Sequence, residues 1–591
     1  MTTHAAVSMW RRVQSMLWDT GQSQPGMQTV RGLASLPYIH DSLVAFVRTS
    51  SSGKREERTR HEGIVRSIIM KTSSVFTLWR HLERLEGIPL LAYLRHAQGV
   101  FSGALISADF IRLFPQTKHA NISGITSSCF SLGAFFGCIA SFTVGDRLGR
   151  KKTVWLGLVM NVVGATLQIA AFHLPQMILG RLINGFGMGV ISSTCPVFMA
   201  ETSPSQLRGK LVVLGSVCNT VGFCLANWIN YALYANNGPE QWRFPLGFQL
   251  IFPLVVAIFL PSVIESPRWL LLKNKHEDAL EAVAKLHGKS DALDDKNLND
   301  ELASISKSIQ EERKNRAPTK DVLLFRDPNQ NMRRLLLSCG TQLMQQFTGV
   351  NALGYYLPTL LIQSVGVSRT YARLLTAANA TLYLGAALVC LVLIDLVGRR
   401  KLLLYGSLAT GCCYLVAAIT LKEAVIHPEN QKTLGSVTTA MFFLYYFTYG
   451  TSFAKVPWVF NSEVNSLGWR ARGAAAATAT NWMGGFIVVQ FTKTGVDHLG
   501  WGFYLLFSCF CFSYFPIVYL LYPETCRRTL EDMDEIFRKD GRRGVLVFRD
   551  PLLTQRERPQ ALVDAERRRI EALSDSEGQA ARATPGLLLG V

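Results

Sequence analysis

The sequence predicts an all-α membrane protein in which twelve transmembrane helices form two six-helix, pseudo-symmetric bundles. Three observations indicate this fold class. Many apolar runs reach the roughly 20 residues that a helix needs to cross a bilayer. Charged clusters that end these runs occur twice along the chain, and basic residues are concentrated in alternate loops. The chain has 591 residues, of which 49% are hydrophobic, so it is long enough for two such bundles.

The duplication is visible in three pairs of short motifs. Residues 145–152 (GDRLGRKK) return as residues 395–401 (DLVGRRK). The ESPRWL motif at 265–270 has a fainter counterpart in the PET motif at 523–525. The third pair is a glutamate followed at the same spacing by an arginine: Glu201 with Arg208, and Glu463 with Arg470. A duplicated helical bundle is the usual architecture of a secondary transporter, which holds its substrate between the halves.

The apolar runs predict six spans on each side of a charged interval. The spans are 88–110, 122–143, 153–173, 176–200, 209–234, 244–264, 334–363, 371–394, 402–421, 437–461, 472–493 and 501–522. They divide the chain into a cytoplasmic N-terminal segment 1–87, a first bundle 88–264, a cytoplasmic helical linker 265–333, a second bundle 334–522 and a cytoplasmic tail 523–591. Helical spacing of apolar residues predicts linker helices over 277–286 and 299–313. Residues 540–591 are charged, which predicts disorder over much of the tail.

Basic residues in alternate loops orient the chain in the membrane. They are Arg147, Arg150, Lys151, Lys152, Arg208, Lys210, Arg399, Arg400, Lys401, Arg470 and Arg472. The positive-inside rule places these loops, the linker and both termini in the cytoplasm, and we expect a multi-pass protein of the plasma membrane. A net charge of +19 is also typical of nucleic-acid-binding proteins. Because membrane edges already explain the basic residues, we expect no nucleic-acid partner.

Sequence signals for catalysis, a metal or a cofactor are not found. Eleven of the 12 cysteines fall inside or beside apolar spans, without paired C-x-x-C units. This pattern predicts small buried hydrophobic residues and neither a disulfide framework nor a metal site. Gly185, Gly187 and Gly189 lack the preceding strand of a nucleotide-binding loop, so they predict close helix packing. We therefore expect no enzyme activity, no metal and no cofactor.

The seventh span contains an unusual number of amide side chains. Its polar residues of interest are Gln342, Gln345, Gln346, Asn351 and Tyr356. The amides fall close to one helix face, and polar side chains in a membrane usually face a cavity or a partner helix. Amides donate and accept hydrogen bonds, which suits a neutral ligand with many hydroxyl groups. Gly349 and Gly354 predict a bend or break near that ligand. The alternative is that the amides only join helices.

Two further spans carry residues that predict a hinge or a ligand contact. Pro457 in the tenth span predicts a kink inside the helix, a common hinge for gating. Trp458 follows it, and Asn481 with Trp482 occupies the eleventh span. A tryptophan offers a flat apolar face to the C–H face of a sugar ring, together with one N–H donor. The alternative for each tryptophan is a buried packing residue.

In combination, these residues resemble the sugar porter family of the major facilitator superfamily. The resemblance covers roughly 97–540 and includes the QQFTGVN segment at 345–351 and the GRLINGFGMG segment at 180–189. The loops look like those of filamentous fungal members. The resemblance implies the major facilitator fold and alternating-access transport of a monosaccharide or related polyol. With the helical spacing, it gives these candidate substrate-binding residues: Gln342, Gln345, Gln346, Asn351, Tyr356, Trp458, Asn481 and Trp482.

Several positions depart from the family pattern. Ser216 stands where a glutamine is usual, Tyr383 where an asparagine is frequent, and Lys455 where a proline is usual. Lys455 predicts either contact with an acidic ligand or a side chain that extends toward the bilayer edge. These departures leave a pentose, a polyol or a sugar acid open as the substrate in place of a hexose.

The largest departure is in the first span. Proton-coupled relatives have an aspartate where this chain has Ala97, and the resemblance implies that the aspartate pairs with an arginine, here Arg181. A buried arginine without its partner is costly, so Arg181 is a candidate coupling residue. Proton symport and facilitated diffusion both stay open. The charged segment before Gln98 does not resemble half of a membrane helix, and we hypothesise a misplaced exon boundary there.

The charged clusters at the predicted cytoplasmic ends indicate a gate. Acidic and basic residues recur at similar spacing in both halves, so salt bridges among them would hold the inner gate closed while the cavity faces outward. The alternative is that the basic residues only orient the helices. The candidate gate residues are Asp146, Arg147, Arg150, Glu201, Arg208, Glu265, Asp395, Arg399, Arg400, Glu463, Arg470 and Glu524.

The sequence therefore predicts a transporter in the lipid bilayer that moves a sugar or polyol by alternating access, with proton coupling left open. Two alternatives stay open. One is a membrane sugar sensor that binds sugar and signals through its tail. The other is a non-functional product of a faulty gene model.

Overall fold

A computed structural model describes most of the chain after residue 95, and every regular element in the described residues is helical. The described residues are 96–202, 208–233, 235, 238–287, 296–314, 318–466, 468–528, 530–540, 547, 551–560 and 563–564. The expected N-terminal segment 1–87 and the charged stretch that carries the exon hypothesis lie outside them.

Eight α-helices lie in the described residues of the first half. They are α1 (His96–Ala104), α2 (Ala108–Leu113), α3 (Ala120–Leu148), α4 (Arg150–Ile169), α5 (Leu174–Thr202), α6 (Arg208–Ala232), α7 (Glu240–Phe248) and α8 (Ile251–Phe259). A 3-10 turn over Pro115–Lys118 separates α2 from α3. The sixth predicted span and the described part of the first therefore each contain two shorter helices.

In the linker and the second half, twelve α-helices lie in the part of the chain that the structure describes. The linker contains α9 (Pro267–Leu272), α10 (His276–His287), α11 (Lys296–Lys314) and α12 (Thr319–Leu323), so both predicted linker helices are confirmed. The second half contains α13 (Asn331–Phe347), α14 (Val350–Leu360), α15 (Arg369–Val397), α16 (Arg399–Ile426), α17 (Gln431–Thr451), α18 (Val456–Val464), α19 (Arg470–Leu499) and α20 (Gly502–Leu521). In the tail, α21 (Leu530–Asp540) and α22 (Pro551–Thr554) follow.

Seven helical spans in the described residues are long and apolar enough to cross a membrane. They are α3, α4, α5, α7 with α8, α15, α16 and α20. The other five predicted spans are also helical, but they are interrupted or contain several polar side chains. Interrupted, polar helices are what a site between two membrane bundles requires.

Two of the interruptions lie in the seventh and tenth spans. Gly349 separates α13 from α14 and has a φ of +85°, a backbone conformation that favours glycine. The tenth span breaks over residues 452–455, and Pro457 is the second residue of the new helix α18. The expected kink inside a continuous helix is therefore wrong. Proline is tolerated in a first helical turn because its missing N–H would have no partner there.

Packing between helices brings the two halves of the chain together. α3, α4 and α5 pack on one another, and α3 also packs along α19 of the second half. A second contact between halves joins α6 to α15. Gly185 and Gly189 of α5 lie against the backbone oxygens of Phe130 and Ala134 of α3, so the glycines serve close packing as predicted. All 12 cysteines are free thiols in the structure.

Candidate functional site

Five amide side chains from α13, α14 and α19 form one buried, hydrogen-bonded group, here called the amide cluster. Its members are Gln342, Gln345, Gln346, Asn351 and Asn481. Asn481 Nδ2 donates to Gln342 Oε1 and to Gln345 Oε1, each at 2.7 Å. Asn481 Oδ1 accepts from Gln346 Nε2 at 2.9 Å. Asn351 Nδ2 donates to Gln346 Oε1 at 2.6 Å. The structure thus brings together side chains that lie more than 130 positions apart in the sequence.

The glutamines of the cluster differ in how their amide nitrogens are used. Gln345 Nε2 donates to the backbone oxygens of Phe453 at 2.7 Å and of Ala454 at 3.2 Å, in the break between α17 and α18. It thus satisfies carbonyls that lack helical partners. Gln342 Nε2 is buried and has no hydrogen-bond partner among the described residues. A ligand oxygen or a water would satisfy this donor.

A small cavity lies beside Asn351, and aromatic side chains form most of its wall. Its lining residues are Phe223, Val350, Asn351, Gly354, Tyr355, Tyr383 and Tyr446. Phe223 belongs to α6 of the first half, so the cavity lies between the halves. The rings of Tyr383 and Tyr446 meet edge to face with centroids 5.5 Å apart. Aromatic faces and an amide together can hold a molecule with apolar and hydroxyl-bearing surfaces.

Sequence reasoning missed the tyrosines of the tenth span. Tyr445, Tyr446 and Tyr449 are all buried, and Tyr445 donates its hydroxyl proton to Thr348 O at 2.9 Å. Their spacing places Tyr445 and Tyr449 on one helix face, which is a signal that could have found them. Tyr383 was recognised only as a departure from a pattern. In the structure the ring centroids of Tyr383 and Tyr449 lie 6.0 Å apart.

Two candidate substrate-binding residues connect the halves. Trp482 Nε1 donates to Ser192 Oγ of α5 at 3.1 Å. Tyr356 donates its hydroxyl proton to Ser127 Oγ of α3 at 3.0 Å. Trp458 is partly exposed, and its indole makes no hydrogen bond to other described residues. Substrate binding by all three stays a prediction.

Two basic side chains are buried inside the membrane-spanning part. Lys455 Nζ donates to Thr220 Oγ1 of α6 at 3.0 Å, so this side chain does not extend toward the bilayer edge. Arg181 Nη2 donates to Ser127 O at 3.0 Å. The Arg181 guanidinium also lies 3.7 Å from the ring centroid of Phe101, a cation–π contact. In the described part of the chain, no hydrogen bond joins Arg181 to a carboxylate.

The end of the bundle where α3 meets α4 and α15 meets α16, here called the basic end, carries two ion-pair groups. In the first, Arg150 Nε and Nη2 donate to both carboxylate oxygens of Glu201, at 3.0 and 3.1 Å. Glu265 accepts hydrogen bonds from the backbone N–H groups of Arg150 at 3.1 Å and Lys151 at 3.2 Å. Gly149 precedes them with a φ of +90°. We call this group the N-terminal node.

The C-terminal node repeats this arrangement. Arg399 Nη2 and Nε donate to the two carboxylate oxygens of Glu463, at 2.9 and 3.2 Å. Glu524 accepts from the backbone N–H groups of Arg399 at 2.9 Å and Arg400 at 3.2 Å. Gly398 precedes them with a φ of +94°. In both nodes the arginine and its glutamate belong to the same half, and their gating role stays a prediction.

The other candidate gate residues take varied positions. Arg147 is exposed, Arg470 is partly buried at the start of α19, and Asp395 Oδ1 accepts from Arg399 Nη1 at 3.0 Å. The side chains of Asp146 and Arg208 lie outside those that the structure describes.

At the opposite end of the bundle, hydrogen bonds join the halves. Lys493 Nζ of α19 donates to the backbone oxygen of Thr117 at 3.1 Å. Thr494 Oγ1 donates to Asn121 Oδ1 of α3 at 3.0 Å. The halves are therefore fastened together on the side away from the basic loops.

Comparison with known proteins gives matches along most of the chain. Residues 96–537 match a family model described as "Sugar (and other) transporter". The "MFS-type transporter oryC" of Aspergillus oryzae is 40% identical over 504 residues, which cover 85% of this chain and 92% of that protein. The "Sugar transporter STL1" of Saccharomyces cerevisiae is 33% identical over 513 residues, which cover 84% of this chain and 86% of that protein.

The fold also matches a solved structure. The proton:xylose symporter XylE bound to 6-bromo-6-deoxy-D-glucose superposes with a TM-score of 0.63 at 20% sequence identity. The match covers 77% of this chain and 100% of that chain. It confirms the predicted two-bundle helical membrane fold.

Proposed function

The chain belongs to the sugar transporter family, and from this premise we propose that it moves a monosaccharide or related polyol across a membrane by alternating access. The observation that carries the proposal is the amide cluster, with the unbonded donor of Gln342 and with Asn351 at the wall of a cavity between the halves. Buried amides suit hydroxyl groups because each can both donate and accept hydrogen bonds.

The proposed binding step exchanges partners within the amide cluster. A hydroxyl group can accept from Gln342 Nε2 without displacing any bond inside the cluster. A second hydroxyl can replace the Asn351–Gln346 hydrogen bond at 2.6 Å. Because amide–amide bonds are traded for amide–hydroxyl bonds, binding is reversible, as transport requires. The break at Gly349 lets α14 move relative to α13 during this exchange.

The proposed transport step is a rocking motion of one half against the other. In the present state, contacts such as Lys493 with Thr117 and Thr494 with Asn121 fasten the end away from the basic loops. These contacts would separate when the site opens to that side. We place the basic end and both termini in the cytoplasm and the protein in the plasma membrane, on the strength of the basic loops.

Uptake of a labelled sugar and polyol panel in a yeast without its own hexose carriers tests the proposal. Gln345→Ala and Asn351→Ala should each lower uptake at least tenfold with normal surface expression, because each removes hydrogen bonds inside the cluster. Gln363→Ala, an exposed glutamine in the π turn after α14, is the matched control and should transport normally. Unchanged uptake by both cluster variants would refute the site. Binding without uptake by the unmodified protein would favour a sensor.

We further propose that transport is downhill and not coupled to protons. Coupling needs a group that takes up and releases a proton near the site. Arg181 is held by the Ser127 carbonyl and the Phe101 ring, and it has no carboxylate partner among the described residues. Net uptake of a neutral labelled substrate down its own gradient should therefore persist with a protonophore. Abolition of net uptake by the protonophore would contradict this part of the proposal.

A further inference from the structure

Lys455 lies in the break between α17 and α18, and only 2% of it is exposed. The same break supplies the Phe453 and Ala454 carbonyls that bind Gln345 Nε2. The lysine backbone is therefore attached to the segment that the amide cluster fixes in place. A movement of the amide cluster can therefore be transmitted to Lys455 through the Gln345 side chain.

The Lys455 side chain extends from this segment to α6 of the first half. Its Nζ donates to Thr220 Oγ1 of α6 at 3.0 Å. Thr220 lies three residues before Phe223, so the two share one face of α6, and Phe223 lines the cavity. The ammonium therefore lies one helical turn along α6 from the cavity, on the side of the basic end.

Burial of a lysine in a membrane-spanning bundle is expensive and usually marks a pathway for a substrate or an ion. The hydrogen bond from its Nζ to Thr220 offsets part of this cost.

A second buried cation lies near the same cavity. Arg181 Nη2 donates to Ser127 O, and Ser127 Oγ accepts from the hydroxyl of Tyr356, the neighbour of the cavity-lining Tyr355. The buried carboxylates of the described chain are at the ends of the bundle: Asp109, Asp327, Glu524 and Asp532. The electrostatic potential in the cavity is therefore set by cations, which favours an anionic guest.

We infer that Lys455 binds an anionic group of the transported molecule, which is a sugar or polyol that carries a carboxylate; this inference rests on the transport function proposed above. The amide cluster binds the hydroxyl groups. Lys455 forms a charge-assisted hydrogen bond to the carboxylate, with the Thr220 hydroxyl beside it. The bilayer-side alternative for this lysine is excluded by its burial.

Competition between a neutral and an acidic sugar with the same ring tests the inference. Purified protein in liposomes is allowed to exchange labelled D-glucuronate, and unlabelled D-glucose and D-glucuronate compete with it. The acid should be exchanged and should compete at least tenfold better than glucose. The inference is overturned if glucose is exchanged while glucuronate neither moves nor competes. If neither sugar nor any polyol of the panel moves, the proposed function itself has failed.

Substitution of Lys455 tests whether its charge causes the preference for glucuronate over glucose. Lys455→Gln should raise the concentration of glucuronate needed for half-competition at least tenfold and change that of glucose less than twofold. Lys455→Arg should keep most of the preference. Lys493→Gln, which alters a lysine that also joins the halves but lies at the opposite end, is the control and should leave the ratio unchanged. An unchanged ratio in a folded Lys455→Gln protein would overturn the inference, and competition in the unmodified protein decides it if that variant fails to fold.

Discussion

The two nodes at the basic end are built from the same residue types but are attached to different parts of the chain. In the N-terminal node, Ser266 follows Glu265 and accepts a hydrogen bond from the backbone N–H of Trp269 at 3.2 Å, so it begins α9 of the linker. In the C-terminal node, the backbone N–H of Glu524 donates to Leu553 O of the tail at 2.8 Å. Duplication therefore kept the ion pairs, while their connections diverged.

The C-terminal node also joins its paired glutamate to a hydroxyl group. The two arginines themselves are bound alike, since Arg399 Nη1 donates to Ile394 O at 3.0 Å and Arg150 Nη1 donates to Gly145 O at 3.4 Å. Thr525 Oγ1 donates to Glu463 Oε2 at 2.6 Å. Residues bonded in one network lose more than a pairwise contact when one member is removed. We therefore expect the second half to depend more on its node than the first half does.

Substitution of the two node arginines should have the largest effect on stability and tests the difference between the nodes. Arg399→Ala should lower the free energy of unfolding by about 3 kcal/mol, because it leaves Glu463 partly buried without its cation. Arg150→Ala should cost less, about 2 kcal/mol, because in the C-terminal node the Thr525 hydroxyl is bonded to the same glutamate and is also disturbed when Arg399 is removed. Thermal unfolding of the purified proteins and uptake per surface molecule measure both effects.

An exposed ion pair of the linker provides the control for these variants. Lys285→Ala breaks the pair with Glu281, whose side chains are 57% and 63% exposed, and should change the stability by less than about 0.5 kcal/mol. Equal losses for Arg399→Ala and Arg150→Ala would show that the bond from Thr525 to Glu463 contributes nothing.

Substitution of the node glycines should have an intermediate effect. An added Cβ would lie 2.5 Å from Glu524 Oε2 at Gly398 and 2.7 Å from Glu265 Oε2 at Gly149, and both glycines have a positive φ. Gly398→Ala and Gly149→Ala should each lower the stability by about 2 kcal/mol, since strain and the displaced carboxylate add. Melting temperatures equal to those of the unmodified protein would show that neither carboxylate position matters.

Substitution of Ser266 and Thr525, which follow the node glutamates Glu265 and Glu524, should have the smallest and most selective effect on stability. Ser266→Ala and Thr525→Ala should each cost about 1 kcal/mol, through a lost helix cap and a lost hydrogen bond respectively. Combining each of these two substitutions with Arg399→Ala distinguishes their effects on stability. The effect of Thr525→Ala should be non-additive because it shares Glu463, whereas that of Ser266→Ala should add. Additive behaviour of both would contradict the network in the second half.

The sequence was sufficient to predict the helices and the amide face of the seventh span. Apolar length located the seven described spans that are long and apolar enough to cross a membrane, and the glycine near Asn351 correctly predicted the break at Gly349. For the tenth span the sequence predicted a kink at Pro457 in place of the break that precedes it. The position of this break depends on Gln345, which is distant in the sequence. Gln345 satisfies the freed carbonyls of Phe453 and Ala454, and no local pattern reveals that contact.

The contact partners of side chains were harder to predict from the sequence than the positions of the helices. The charged motifs identified which residues recur, but spacing alone did not show that Arg150 pairs with Glu201, and Arg399 with Glu463, inside one half. Tyr446 was missed because a tyrosine in a membrane span has many uses, and only the fold places it against Tyr383 at the cavity.

Cross-linking at the end away from the basic loops tests alternating access most directly. Asn121→Cys with Thr494→Cys joins α3 and α19 where their side chains are 3.0 Å apart, and each single variant is the control. A short thiol-specific cross-linker should lower sugar uptake at least tenfold in the double variant, and a cleavable linker should restore uptake when it is cut. Full uptake through a completely cross-linked protein would contradict the account, because the halves would then not need to separate at that end.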